Sequence, residues 1–126
     1  MKIIAIDHIQ LAMPPEQEGA ARRFYGELLG LPEISKPASL SGRGGCWFDG
    51  PGFGLHLGVQ QDFVPARKAH PCLRVDDLPA WFETLAAAGI RVEPDSSVPG
   101  VRRFYAFDPF GNRLEFLQAG DTFPSG

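Results

Sequence analysis

Three histidines and one glutamate are the residues of this chain best suited to hold a divalent metal. In GLHLGV, residues 54–59, Leu55, Leu57 and Val59 fall on one side of a short strand. Gly54, His56 and Gly58 fall on the other, so that face carries one imidazole between two positions without side chains. His8 and His70 lie in two further strand-like segments, and Glu115 lies in RLEFL. Neutral imidazoles and a carboxylate on rigid strands are the donors that zinc, iron, nickel, cobalt and manganese take.

The elements that would position these residues come in a repeated order. Ile3–Met13 alternates as a strand, with His8, Gln10 and Ala12 on one face, and Pro14-Pro15 ends it. Glu16–Leu29 has an apolar stripe at Ala21, Phe24, Tyr25 and Leu28, which predicts a helix closed by Gly30 and Pro32. A weaker strand at Glu33–Pro37 and a Gly/Ser-rich loop at Ser39–Gly45 follow. Cys46–Asp49 and Phe53–Gln60 then read as strands joined by Gly50-Pro51-Gly52. After a linker at 61–69 the order starts again: a strand at His70–Val75, then a helix capped by Asp77 and ended by Gly89. Strands at Ile90–Glu93, Val101–Asp108 and Arg113–Gln118 complete it.

The pattern is βαβββ twice, an internal repeat of about 60 residues. Phe48-Asp49 precedes His56 by eight and seven positions, as Phe107-Asp108 precedes Glu115. His8 opens the first copy as His70 opens the second, so the equivalent pairs are His8 with His70 and His56 with Glu115. Copies related by a pseudo-twofold axis would turn all four donors toward one point. Four protein ligands on a tetrahedral zinc would leave no place for a substrate. A catalytic site therefore needs a five- or six-coordinate ion, or a His56 that stands beside the metal as a base. Glu115 and His56 are accordingly the candidate proton-transfer residues.

Alternation from His8 adds Gln10 to this face, and alternation from His70 adds Cys72 and Arg74. Arg103 and Tyr105 share a face of their strand. Gln10, Arg74, Arg103 and Tyr105 are thus candidate substrate-binding residues. An arginine in a mostly apolar cleft would grip a carboxylate or phosphate in bidentate fashion. The alternative is that Arg102 and Arg103 cap the strand mouth in solvent. Cys72 and Trp47 read as packing residues, and Asp108 and Asn112 as the frame of the last turn.

The chain has 126 residues, 44% hydrophobic and 21% charged, which suits one domain with a core. A net charge of -3 gives no basic stripe for nucleic acid. Two cysteines make no disulfide framework, and no stretch has the ~18 apolar residues of a membrane span. A soluble cytoplasmic protein is expected, with no membrane or nucleic-acid partner.

IDHIQLAM, FYGELLGL, AHPCLRVDDL and FYAFDPFGNRLEFLQ resemble the vicinal oxygen chelate superfamily over nearly the whole chain. That group includes glyoxalase I, bleomycin-resistance proteins, methylmalonyl-CoA epimerase, fosfomycin-resistance enzymes and extradiol dioxygenases. The resemblance implies an α+β fold of two tandem βαβββ modules whose sheets curl into one cup-shaped mixed sheet. The modules would span 1–60 and 70–119 of a single 1–126 domain, with a loose tail at 120–126. It implies a divalent metal (Fe, Ni, Co, Mn or Zn) held by His8, His56, His70 and Glu115, a small-molecule substrate and a homodimer. His56 departs from the glutamate or glutamine common at that position in the isomerases. His8, His70 and Glu115 alone form a two-His, one-carboxylate set that also suits iron(II). The implied activity is glyoxalase-type isomerase or lyase chemistry through an enediolate or enolate. A small dioxygenase, or a metal-free binder of a drug or metabolite, is the alternative.

Overall fold

A computed structural model of the chain describes residues 1–124. The chain divides into two compact units, Met1–Pro65 and Ala66–Gly126.

In the first unit, β1 (His8–Met13), β2 (Glu33–Ile34), β3 (Cys46–Gly50) and β4 (Phe53–Val59) form a mixed sheet in the order β1-β4-β3-β2. β1 runs parallel to β4, and β3 is antiparallel to both β4 and β2. β1 starts later than the expected Ile3. His8 pairs with Gly54, near the start of β4, so residues before His8 would face only the turn. Ile3, Ile4 and Ile6 are exposed.

The expected helix at Glu16–Leu29 is shorter and of mixed winding. α1 covers Glu18–Ala21, and the chain continues as a π-helical stretch over Arg22–Leu28. The wider turns let the neighbours Phe24 and Tyr25 both bury against the sheet. Their rings meet edge to face at 4.8 Å, and Tyr25 lies 5.9 Å from Phe48. Phe48, Leu55 and Leu57 form the other side of this core, and burial of each such side chain contributes roughly 1.5–3 kcal/mol. The expected loop at Ser39–Gly45 holds a 3-10 stretch over Ala38–Arg43, opened by the bond from Leu40 N to Pro37 O at 2.9 Å.

The second unit repeats the plan. β5 (Cys72–Val75), α2 (Leu78–Ala87), β6 (Val92–Asp95), β7 (Arg103–Phe107) and β8 (Arg113–Gln118) give a sheet in the order β5-β8-β7-β6. β5 is parallel to β8 and the remaining pairs are antiparallel. The class is α+β, as expected. Asp77 caps α2 by accepting from Ala80 N at 3.2 Å. Gln118 ties the helix start to β8, accepting from Leu78 N at 2.9 Å and donating to Asp76 O at 2.8 Å. Leu85, Phe104, Leu114 and Phe116 are the core, with Phe104 stacked on Phe116 at 5.1 Å. β5 and β7 begin two residues later than expected. β6 is shifted to Val92–Asp95 because its partners are Arg103–Ala106.

The repeat holds in register, with one correction. His56 faces Trp47, whereas Glu115 faces Tyr105, so the span from partner to donor is one residue longer in the second hairpin, whose turn is the longer of the two. Asp49 lies within β3, but Asp108 lies in the turn, and the equal spacing in sequence does not make the two equivalent. Asp108 builds that turn: Oδ1 accepts from Phe110 N at 2.9 Å and Asn112 N at 2.8 Å, and Oδ2 accepts from Asn112 Nδ2 at 2.9 Å. Of the expected tail, Asp121 is paired with Arg102 at 3.0 Å. Residues 125 and 126 lie outside the described residues.

Candidate functional site

Alternation in β4 buries Leu55 and Leu57 on the helix side and puts His56 on the opposite face. On that face His56 lies in a file of three rings contributed by three adjacent strands. Trp47 of β3 stacks on one side, with centroids 4.0 Å apart and planes 5° from parallel. His8 of β1 stacks on the other, at 4.4 Å and 16°. Both faces of the His56 ring are therefore covered, and burial, with a smaller contribution from His8, lowers its pKa from the usual value. Burial thus favours its neutral form. Trp47 was expected only to pack. The signal that finds it is the hairpin register, since counting back from the Gly50–Phe53 pair brings Trp47 opposite His56.

The glycines beside His56 make room for its neighbours. A Cβ at Gly54 would lie 3.2 Å from His56 Nε2 and 3.3 Å from His8 Cβ. A Cβ at Gly58 would lie 2.5 Å from Nε2 of Gln10, the register partner of His56 on β1. His8 Nδ1 lies 2.8 Å from Asp7 Oδ2, which directs the Nδ1–H to the carboxylate and leaves Nε2 as the free nitrogen.

In the second unit, His70 Nδ1 lies 2.8 Å from Lys68 O, so that nitrogen carries a hydrogen donated to the carbonyl. Nε2 lies 2.9 Å from Glu115 Oε1. Glu115 is buried, and its Oε2 is 3.3 Å from Arg103 Nη1 without hydrogen-bond geometry. Cys72, opposite Glu115 in register, is exposed rather than part of the core. Partial burial of its sulfur and the charge of Glu115 push the thiol up to about 11, well away from a nucleophile's range.

The four residues expected to bind substrate lie in different settings. Gln10 is exposed beside His56. Arg74 is exposed and donates to the carbonyl of Asp121 at 3.1 Å. The Arg103 guanidinium is buried and engaged within its own unit, 3.3 Å from Asp95 and from Glu115, and bonded to Tyr105 Oη at 2.7 Å and Ser97 Oγ at 3.1 Å. The buried ring of Tyr105 has Arg113 over its face at 3.9 Å and His70 edge-on at 5.3 Å. Asp95 and Ser97 belong to this network and carried no signal in sequence.

The structure thus brings His8 together with His56, and His70 together with Glu115. The two stacked imidazoles do not converge as they lie. A ligated ion sits in the plane of each ring at about 2.0–2.1 Å from nitrogen, and near-parallel planes do not meet at such a point. Within either unit, no three His, Cys, Asp or Glu of the described residues are grouped for a metal. The donor chemistry still fits one: His8 and His70 each have Nδ1 tied to an oxygen, the arrangement that orients metal-binding imidazoles, and His70 Nε2 lies beside the Glu115 carboxylate. No helix among the described residues is long and apolar enough to cross a membrane.

None of the curated proteins matches the chain. Among solved structures, a protein of Bacillus anthracis described as of the glyoxalase family is 47% identical, with a TM-score of 0.90 over 94% of this chain and 97% of that one. Lactoylglutathione lyase from Agrobacterium tumefaciens is 23% identical, with a TM-score of 0.71 over 91% of this chain and 93% of that one. TnmS3, an antibiotic binding protein from Streptomyces sp. CB03234, is also 23% identical, at 0.71 over 94% and 98%. The last two share the fold, and their different roles leave the activity open. The sequence profile of the Glyoxalase/Bleomycin resistance protein/Dioxygenase superfamily matches residues 5–116, and the chain belongs to that superfamily.

Proposed function

We propose that the protein is a metal-dependent isomerase or lyase of glyoxalase type, acting on a small substrate with two vicinal oxygens. The observation that carries this reading is the shared state of His8 and His70. At repeat-equivalent positions, each has Nδ1 2.8 Å from an oxygen, which fixes the ring and directs Nε2 the other way, toward Glu115 Oε1 at 2.9 Å in the case of His70. With Glu115 they form a two-His, one-carboxylate set. His8, His70 and Glu115 are the proposed ligands, and a homodimer is the proposed assembly.

A bound divalent ion (Fe, Ni, Co, Mn or Zn) would supply Lewis-acid stabilisation of charge on the substrate's oxygens. The chain's own residues supply the proton transfer. His56, whose neutral form burial favours and whose ring lies between Trp47 and His8, would accept a proton at Nε2 from the carbon next to a carbonyl. Nε2 lies over Gly54, which has no side chain to block that approach. Delivery of the proton to the adjacent carbon completes an isomerisation. Arg103 acts through Glu115, holding the carboxylate in place by charge rather than gripping a substrate anion. The same ligand set loaded with iron(II) supports a second reading, dioxygen-dependent cleavage.

The test is to strip the purified protein with chelator, reload it separately with each of the five ions, and measure metal by elemental analysis. One equivalent in the wild type and loss of it in His70→Ala and Glu115→Gln are expected. Failure to take up any of the five ions overturns both enzyme readings in favour of a metal-free binding protein.

A further inference from the structure

We infer that the cleft over the His8–His56–Trp47 file selects a flat, apolar group without negative charge. This rests on the proposed site and names its substrate class. The cleft has a volume of about 930 Å³ and lies in the first unit. Its apolar wall is Ile4, Ile6, Ile34, Trp47 and Phe53. Ile34 pairs with Trp47 in register, which extends the row from Gln10 through His56 and Trp47 to the sheet edge. Asp7 and Asp49 are the acidic lining residues, and none of the described lining residues is Lys or Arg.

Charge decides the class. In the metal-free protein an anion entering this cleft meets Asp7 and Asp49, with no Lys or Arg among the described lining residues to offset them. An uncharged ring buries apolar area against Trp47, Ile34 and Phe53, and π-systems favour such aromatic walls. The arginines expected to attract an anion are engaged elsewhere: Arg103 with Asp95 and Glu115, and Arg74 with the carbonyl of Asp121. The cleft's own lining therefore favours an uncharged aryl or similarly flat apolar group over a carboxylate, phosphate or anionic thiol conjugate.

Three probes with vicinal oxygens separate the terms: 2-hydroxyacetophenone (ring, neutral), benzoylformate (ring, anionic) and hydroxyacetone (no ring, neutral). Each is titrated into chelator-stripped, full-length protein by calorimetry, with the Ile34 methyl followed by NMR. Binding of 2-hydroxyacetophenone at least tenfold tighter than either other probe, with the Ile34 methyl shifted, is expected. Ile34→Arg, an exposed substitution that adds a cation, should narrow the deficit of benzoylformate at least fivefold. Equal or tighter binding of benzoylformate or hydroxyacetone by the wild type, an unmoved Ile34 methyl, or no change in Ile34→Arg overturns the inference. These measurements use metal-free protein, so their outcome is independent of the metal-uptake test. Failure here with uptake intact rejects only the substrate class.

Discussion

The rings of His8 and His56 stack with centroids 4.4 Å apart and planes 16° from parallel. That relationship separates their roles, because two such rings cannot both point a lone pair at one ion. His8→Ala should weaken metal binding by about tenfold or more, while His56→Ala keeps the metal and loses turnover. Elemental analysis of both variants checks it. Equal metal loss in the two would return His56 to the ligand set.

Gly54 and Gly58 flank the same histidine but differ in what an added methyl would strike. At Gly54 the neighbour is His56 Nε2 at 3.2 Å, on a ring held from both sides. At Gly58 it is the end of the exposed Gln10 side chain, which can swing away. Gly54→Ala should cost about 1–2 kcal/mol and shift the His56 ring resonances, while Gly58→Ala stays within about 0.5 kcal/mol. Denaturant unfolding and NMR of both variants report the contrast, and equal costs would contradict the clamped ring.

Asp108 accepts three hydrogen bonds inside the β7–β8 turn, and that turn sets where Glu115 falls on β8. Asp108→Ala should lower stability by roughly 2–4 kcal/mol, since buried donors lose their acceptor. Thermal unfolding measures it. A loss below about 0.5 kcal/mol would show the turn to be held by other groups.

Cys72 offers a reporter of Glu115. Partial burial and then the nearby carboxylate raise its thiol to about 11 from an ordinary value of 9.0. In metal-free protein at pH 8, Cys72 should react with iodoacetamide at least about tenfold more slowly than a free cysteine peptide. Glu115→Gln removes the charge that disfavours the thiolate, so the reaction should accelerate. Mass-spectrometric rates give the answer, and an unchanged or slower rate in Glu115→Gln would rule out the coupling.

Much of the plan was legible in the chain. The βαβββ order, the Asp77 cap, the Asp108–Asn112 turn and the equivalence of His8 with His70 and of His56 with Glu115 all follow from local signals. Strand alternation has a period of two, and caps and turns are chosen by a few adjacent residues, so each is written within a short window. The spacing match of Asp49 with Asp108 failed because the longer second turn shifts the pairing by one residue without altering the distance in sequence to Glu115. The strand expected from Ile3 began at His8 because a strand extends only as far as its partner does.

The sequence by itself therefore determined which faces carry the donors, through the alternation that puts His56 opposite Leu55 and Leu57 and through the repeat that matches it to Glu115. Only the tertiary structure decided what those donors touch. The stacking of Trp47 and His8 on His56, and the engagement of Arg103 by Asp95 and Glu115, join residues of three neighbouring strands in each unit. Lateral register between strands is set by ladder hydrogen bonds and turn lengths, and side-chain reach across it depends on the neighbours' sizes. No single strand's pattern contains either quantity.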